Sequence, residues 1–137
     1  MADNAAIVKG LYEAIAKGDF DTVLGALDEQ VEWNEAEHGP YWPGKAFIGP
    51  QAVAEGVFAR IPQDFNVFRI EVQRIVGLGD TVLAEVRYHG TAKATSRNFN
   101  AQAAHVWDFR AGKCVRWQQY VDTWQIAHVT DFTPPAS

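Results

Sequence analysis

Apolar and polar positions alternate with two different periods along this chain, and the change of period divides it. From Asp3 to Ile15 the apolar residues Ile7, Val8, Leu11, Tyr12 and Ile15 fall on one helical stripe, with Asp3 placed as an N-cap. Gly18 ends that helix, and Asp19 caps a second, shorter one that turns Phe20, Val23, Leu24 and Leu27 inward. Val31 to Glu35 alternates as a short strand. A stretch rich in proline, glycine and aromatic residues follows, from Ala36 to Ile48. An irregular segment of that length is expected to be a pocket lid or wall, or a surface folding Tyr41 and Trp42 onto a neighbouring subunit. Gly49-Pro50 opens a third helix with Val53, Val57, Phe58 and Ile61 buried, and Pro62 ends it.

From Phe65 onward the period is two. Phe68, Ile70 and Val72 alternate with Arg69, Glu71 and Gln73, and the break at Ile75-Val76 predicts a bulge. After Gly77-Leu78-Gly79-Asp80, a strand from Thr81 to Thr95 carries Val82, Ala84, Val86, Tyr88, Gly90 and Ala92 on one face. A turn near Ser96-Arg97 leads into a hairpin that reverses at Arg110-Ala111-Gly112-Lys113, where glycine tolerates positive φ. With Arg110 opposite Lys113 and an unbroken ladder, His105 faces Gln118 and Asp122 faces Ala101. One face then holds His105, Trp107 and Phe109 beside Cys114, Arg116, Gln118, Tyr120 and Asp122. A shift of one residue would turn one strand's side chains to the opposite face. The last residues, with Pro134 and Pro135, are expected to be loosely held.

Helices first and long hairpin strands afterwards form the α+β pattern: an antiparallel sheet with three helices from the N-terminal half packed on one side. Bent strands would curl that sheet into a cone with an internal pocket. The chain of 137 residues suits one domain. Apolar residues make up 47% and charged ones 21%, which marks a globular chain. The formal charge of −5 gives no basic footprint, so nucleic acid is not an expected partner. MADNAAIVKG lacks the basic start and apolar run of a signal peptide, and no stretch is long and apolar enough for a membrane span. The expected location is cytoplasmic. Cys114, the single cysteine, reads as small core filler.

Taken in order, GDFD before the second helix, VEWNE on the first strand, GPQAV at the third helix and the closing HVWDFRAGK…YVDT resemble the nuclear transport factor 2-like superfamily. Within it the chain is most similar to SnoaL-like, ketosteroid-isomerase-related proteins, over about residues 4–126. The resemblance implies a curved sheet with three helices, a deep apolar pocket for a hydrophobic small molecule, and a homodimer made through the sheet. It also implies that activity varies widely on one scaffold. SnoaL-like cyclases place a general-base aspartate near the end of the last strand, where Asp122 falls. Ketosteroid isomerases place an aspartate base at the position of Glu35. Their oxyanion-binding tyrosine aligns with Leu11, beside Tyr12, and their neutral acid aligns with Ala104. Both donors are missing at those positions, so steroid isomerisation by that mechanism is not expected.

The candidate catalytic residues are therefore Asp122, His105 and Glu35. Burial among aromatic rings makes an ionised carboxylate costly, and the same burial suits it to act as a general base. The alternative for Asp122 is an ion pair with Arg116 or Arg87, or a cap where the chain leaves the sheet. For His105 the alternative is a satisfied core histidine bonded to Gln118. The levels of His105 and Asp122 differ by about 13 Å at ~3.3 Å per residue, so a ligand would have to lie between them. Trp33, Tyr41, Tyr88, Trp107, Gln118 and Tyr120 are the candidate pocket residues. Glu35, Glu37 and His38 share a turn, but that spacing is weakly specific for metal and no metal site is expected. His89 and His128 belong to no constellation. No nucleophile elbow, phosphate loop or zinc-cysteine cluster is present, so no cofactor is expected. Two functions fit. One is cofactor-free acid/base chemistry, of isomerase, cyclase or hydratase type, on an apolar carbonyl compound with Asp122 as base. The other is a non-catalytic binding module for a hydrophobic ligand.

Overall fold

The computed structural model describes residues 3–131, so the expectation for Pro134 and Pro135 lies outside the described residues. Helix α1 (Asn4–Ala16) begins at Asp3, whose side chain accepts from the Ala6 N–H. Its inward stripe carries Val8, Leu11, Tyr12 and Ala14. Asp19 caps α2 (Phe20–Gly25) by accepting from the Thr22 N–H. Strand β1 (Leu27–Asn34) follows, then an irregular stretch up to the two-residue β2 (Phe47–Ile48). Helix α3 (Pro50–Val53), with its expected proline start, runs directly into a π turn (Ala54–Phe58). Gly56 lies in that turn because a Cβ there would come within 2.3 Å of the Phe47 ring. The chain continues as α4 (Ile61–Asp64), β3 (Phe65–Leu78), β4 (Thr81–Ala92), β5 (Asn98–Arg110), β6 (Lys113–Val121) and α5 (Thr123–Thr130).

The six strands form one open sheet in the order β2-β1-β6-β5-β4-β3. Four long strands pair as successive hairpins. Strand β1 joins the far side of β6 in parallel, so the sheet is mixed and not wholly antiparallel as expected. No hairpin connects β1 to β6, and nothing local forces opposite directions on them. Two further departures concern helices. Pro62 does not end the third helix but sits in the first turn of α4, and the chain after Val121 coils into α5. Ile126 and Val129 of α5 are buried at the end of the sheet.

Strand β4 follows its sequence pattern residue by residue, with Val82, Ala84, Val86, Tyr88 and Ala92 buried along one face. Gly90 continues that face because a Cβ there would meet the Val67 carbonyl oxygen at 2.4 Å and the Phe99 ring at 2.5 Å. Strand β3 bulges at two places, after Phe65 and after Val72, the second just before the expected break. Each bulge adds twist and bends the strand. The sheet thus curls around a core built from Val8, Leu11, Val31, Val53, Val86 and Trp107, among others.

The β5–β6 hairpin turns at Ala111 and Gly112, with φ of 50° and 79°. Two positive values identify the type I′ turn that matches strand twist. Arg110 opposes Lys113 and Phe109 opposes Cys114, as expected. The ladder then shifts: Asp108 opposes Arg116, leaving Val115 as an extra residue. Cys114 and Trp117, three positions apart, consequently both point inward and are buried. This bulge inverts the expected facing of every later residue of β6. Trp117, Gln119 and Val121 face the helices, while Gln118 and Tyr120 face away.

Candidate functional site

A cavity of about 90 Å³ lies between the concave sheet and the helices, opening toward solvent. Helix α1 contributes Tyr12 and Ile15, the π turn Val57 and Phe58, and the irregular stretch Glu35, Pro40 and Tyr41. The sheet contributes an aromatic floor. Trp107, Trp117 and Trp33 stand side by side on β5, β6 and β1 because their backbone positions are paired across both ladders. Trp33 and Trp117 stack with centroids 3.8 Å apart, and Trp107 meets both edge-on. Offset and edge-to-face contacts of this kind each contribute about 1 kcal/mol beyond area burial.

Polar groups are few, and burial governs their charge. Glu35 is buried, and its Oε2 accepts from Trp33 Nε1 at 2.8 Å. Oε1 makes no hydrogen bond among the described residues. Desolvation pushes the carboxyl up from 4.5 to about 7, against smaller opposing effects of the Trp33 hydrogen bond and the Arg60 charge. His105 lies between two phenols. Its Nδ1 is 2.6 Å from the Tyr12 hydroxyl, and its Nε2 contacts the Tyr88 hydroxyl. Trp107 Nε1 donates to Tyr12 at 3.1 Å, and Gln119 Nε2 donates to Tyr88 at 2.8 Å. Burial pushes His105 down from 6.5 to about 3, so the ring is neutral at ordinary pH. The same desolvation raises both phenols above their ordinary value and keeps them protonated.

The irregular stretch forms a wall of this cavity. Tyr41 donates its hydroxyl hydrogen to Asp64 Oδ2 at 2.8 Å, and the Arg60 guanidinium lies 4.4 Å over its ring. These contacts fasten the wall to α4.

Of the residues singled out in the sequence, Glu35, His105, Trp33, Tyr41, Tyr88 and Trp107 all line this cavity. Gln118, Tyr120 and Asp122 do not. The bulge at Val115 places Tyr120 on the outer face, 59% exposed. Asp122 caps α5, accepting from the Gln125 N–H at 3.1 Å and from Gln125 Nε2 at 3.3 Å. Neither arginine considered as its partner reaches it: Arg87 bonds Asn100, and Arg116 bonds Glu32 and Gln118. No ligand spanning His105 and Asp122 is therefore required, because the two do not share the cavity. His105 is bonded to Tyr12 and Tyr88 and not to Gln118. Glu37 is exposed and His38 packs edge-on against Trp42, so neither joins Glu35.

Sequence reasoning missed Tyr12, Trp117 and Gln119 as site residues. Tyr12 carried a signal, since it is the one hydroxyl on the apolar stripe of α1. Leu11, the position aligned with a ketosteroid isomerase tyrosine, packs into the core instead. Gln119 carried no signal, because its placement depends on the bulge.

This open, curved mixed sheet closed by helices is the cone fold of the nuclear transport factor 2-like superfamily. A SnoaL-like domain profile matches residues 8–117, and the chain belongs to that family. Among solved structures, an NTF2-like protein from Burkholderia thailandensis E264 is similar, with 27% identity and a TM-score of 0.89 over 94% of this chain and 98% of that one. A candidate SnoaL-like polyketide cyclase from Jannaschia sp. CCS1 shares the fold at 13% identity and a TM-score of 0.79, covering 96% and 93% of the two chains. So does a protein of ketosteroid isomerase-like fold from Catenulispora acidiphila DSM 44928, in complex with trimethylamine, at 18% identity and a TM-score of 0.77, covering 93% and 97%. No functionally curated protein matches the sequence. Among the described residues no helix is long and apolar enough to cross a membrane.

Proposed function

We propose that this protein moves a proton on a small, apolar carbonyl compound by acid/base chemistry of its own side chains, with Glu35 as the base. The observation that carries this reading is the Glu35 carboxyl: buried in an aromatic cavity, tied at one oxygen, and shifted to about 7. A base whose pKa lies near the working pH combines ionisation with proton-accepting strength. Asp122, the base expected from sequence, is not assigned this role because its oxygens cap α5.

In the reaction, Glu35 takes a hydrogen as a proton from the carbon beside the carbonyl. The C–H electrons move into an enolate, and Glu35 returns the proton to the same or a conjugated carbon. Isomerisation is balanced by that single carboxyl, and exchange needs in addition that the protonated carboxyl trade its hydrogen with solvent before returning one to carbon. At about 90 Å³ the cavity is smaller than the roughly 150 Å³ of an engineered cavity that accommodates benzene. A six-membered cyclic ketone would therefore enter it in part and leave the rest of its ring toward the opening.

The test is the conversion of an unconjugated cyclohexenone to its conjugated isomer, followed by ultraviolet absorbance. Glu35→Gln should lower the rate at least ~100-fold, the lower range for loss of a general base. An unchanged rate would remove Glu35 from the chemistry. If the wild type binds the ketone without converting it or exchanging its α-hydrogens for deuterium, the chain is a binding module.

We also propose that two copies associate through the outer face of the sheet, where Tyr120 is exposed. Light scattering should give twice the 15.2 kDa chain mass, and Tyr120→Glu should return it to the monomer value. A monomeric wild type would contradict this.

A further inference from the structure

A second and larger space adjoins the cavity. It measures about 520 Å³ against about 90 Å³, and Pro40 and Phe65 line both. Two junctions of the chain build it. Helix α4 starts just after Arg60 and ends at Asp64. The pairing of Phe65 with Ala92 then brings Lys93 beside that end, where its N–H donates to the Asp64 carbonyl oxygen at 2.9 Å. The charged groups of this hollow are Arg60, Asp64, Lys93 and Asp131.

Its two cations are unpaired. Among the described residues neither Arg60 nor Lys93 forms an ion pair, although two carboxylates line the same hollow. Arg60 is half-buried, and its side chain makes one long hydrogen bond, from Nη2 to the Pro40 carbonyl oxygen at 3.4 Å. The guanidinium lies 4.4 Å over the Tyr41 ring, and Tyr41 and Pro40 both belong to the cavity wall. It is thus held at the border of the two spaces. A guanidinium carries five N–H donors in a planar fork that matches a carboxylate, and stacking on a ring sets the plane of that fork in advance.

Size and charge restrict what the hollow can take. The cavity holds only part of a cyclic ketone, so the rest of a larger ligand extends past the wall. A carboxylate kept inside the cavity would meet Glu35, whereas beyond Pro40 it meets Arg60. Asp64 and Asp131 balance the formal charge of the two cations, so a dianion such as phosphate is opposed more strongly than a single charge. Asp64 is also committed through Oδ2 to the Tyr41 hydroxyl, which leaves the Arg60 fork to an outside acceptor.

We propose that this hollow is a second subsite, which binds the carboxylate of a ligand whose apolar carbonyl end occupies the cavity. Arg60 takes the carboxylate oxygens, and the more exposed Lys93 adds a second charge. The substrate class narrows accordingly to keto acids, with a compact carbonyl end and a carboxylate a short chain away. This assignment rests on reading the aromatic cavity as the carbonyl site. It adds no step to the chemistry at Glu35.

The test measures binding by calorimetry at neutral pH and low salt. The probes are cyclohexanones that carry at C4 a chain of one to five methylenes ending in a carboxylate, each paired with its methyl ester. At one chain length or more, the acid should bind wild type at least ~fivefold more tightly than its ester, a gain suited to partly exposed, salt-screened charges. Arg60→Gln should bring that ratio to within about twofold of one. Lys93→Gln, at a residue that does not line the cavity, should lower it by a smaller factor. The ratio is taken within one protein, so a general loosening of the Tyr41 wall in Arg60→Gln cancels.

A ratio near one at every chain length in wild type overturns the proposal, whether or not any variant folds. A preference that survives Arg60→Gln also overturns it, because the carboxylate then binds elsewhere. Failure of the subsite and failure of the base assignment give different results. If neutral cyclohexanone exchanges its α-hydrogens while acid and ester bind alike, the subsite alone has failed. If the acid is preferred through Arg60 but no ketone is isomerised or exchanged, the base assignment alone has failed, and the chain is a binding module for keto acids.

Discussion

Trp33 Nε1 donates to Glu35 Oε2 at 2.8 Å, so the end of β1 supplies the group that fixes the base just beyond it. The bond holds one carboxyl oxygen against the wall and lowers the pKa that burial raises. Trp33→Phe keeps most of the ring packing and removes this donor. The base limb of the pH–rate profile should then move to higher pH. An unmoved limb would mean that Trp33 does not tune Glu35.

Glu35 and His105 give stability opposite dependences on pH. The Glu35 pKa is raised on folding, so its contribution is fully present below 4.5 and is lost as pH rises to about 7. The His105 pKa is lowered, so its contribution is present above 6.5 and is lost as pH falls to about 3. Between 4.5 and 6.5 the slopes, each ~1.4 kcal/mol per pH unit at the limit, offset one another. Urea midpoints of the wild type should vary little across this window. Glu35→Gln should become more stable as pH rises, and His105→Gln less stable. Slopes of the same sign in both variants would contradict the shifts.

Asp122 serves as the cap of α5, and its substitutions should behave as cap substitutions. Asp122→Asn keeps an acceptor for the Gln125 N–H and should be nearly neutral. Asp122→Ala should cost about 1 kcal/mol. Neither should change the isomerisation rate by more than about twofold, which the cyclohexenone assay and urea unfolding together check. A large loss of rate in a well-folded Asp122→Asn protein would place this carboxylate in the chemistry after all.

The sequence made the fold readable where local pattern and tertiary demand agree. Asp3 and Asp19 cap the helices they precede, Pro50 opens α3, and the buried face of β4 follows its alternation without a break. Much of the site was readable for the same reason, since His105, Trp107 and Tyr88 stand on strands with regular period. The failures share one cause. Val115 is accommodated as a bulge, and nothing in CVRWQQYV marks which residue the ladder will skip. Period two carries facing only while the register is unbroken, so one skipped residue turned Gln118, Tyr120 and Asp122 out and brought Trp117 and Gln119 in. The parallel pairing of β1 with β6 was equally hidden, because contacts between distant segments leave no local pattern.

The central claim is that the cavity holds the Glu35 carboxyl at a pKa near neutrality, ready to accept a proton from carbon. Its most direct test is a ¹³C NMR titration of the Glu35 side-chain carboxyl, assigned by its absence from Glu35→Gln. The midpoint should fall near the shifted value of about 7. A midpoint at the ordinary 4.5 would contradict the account, because the carboxylate would then be solvated and too weak a base for the proposed chemistry.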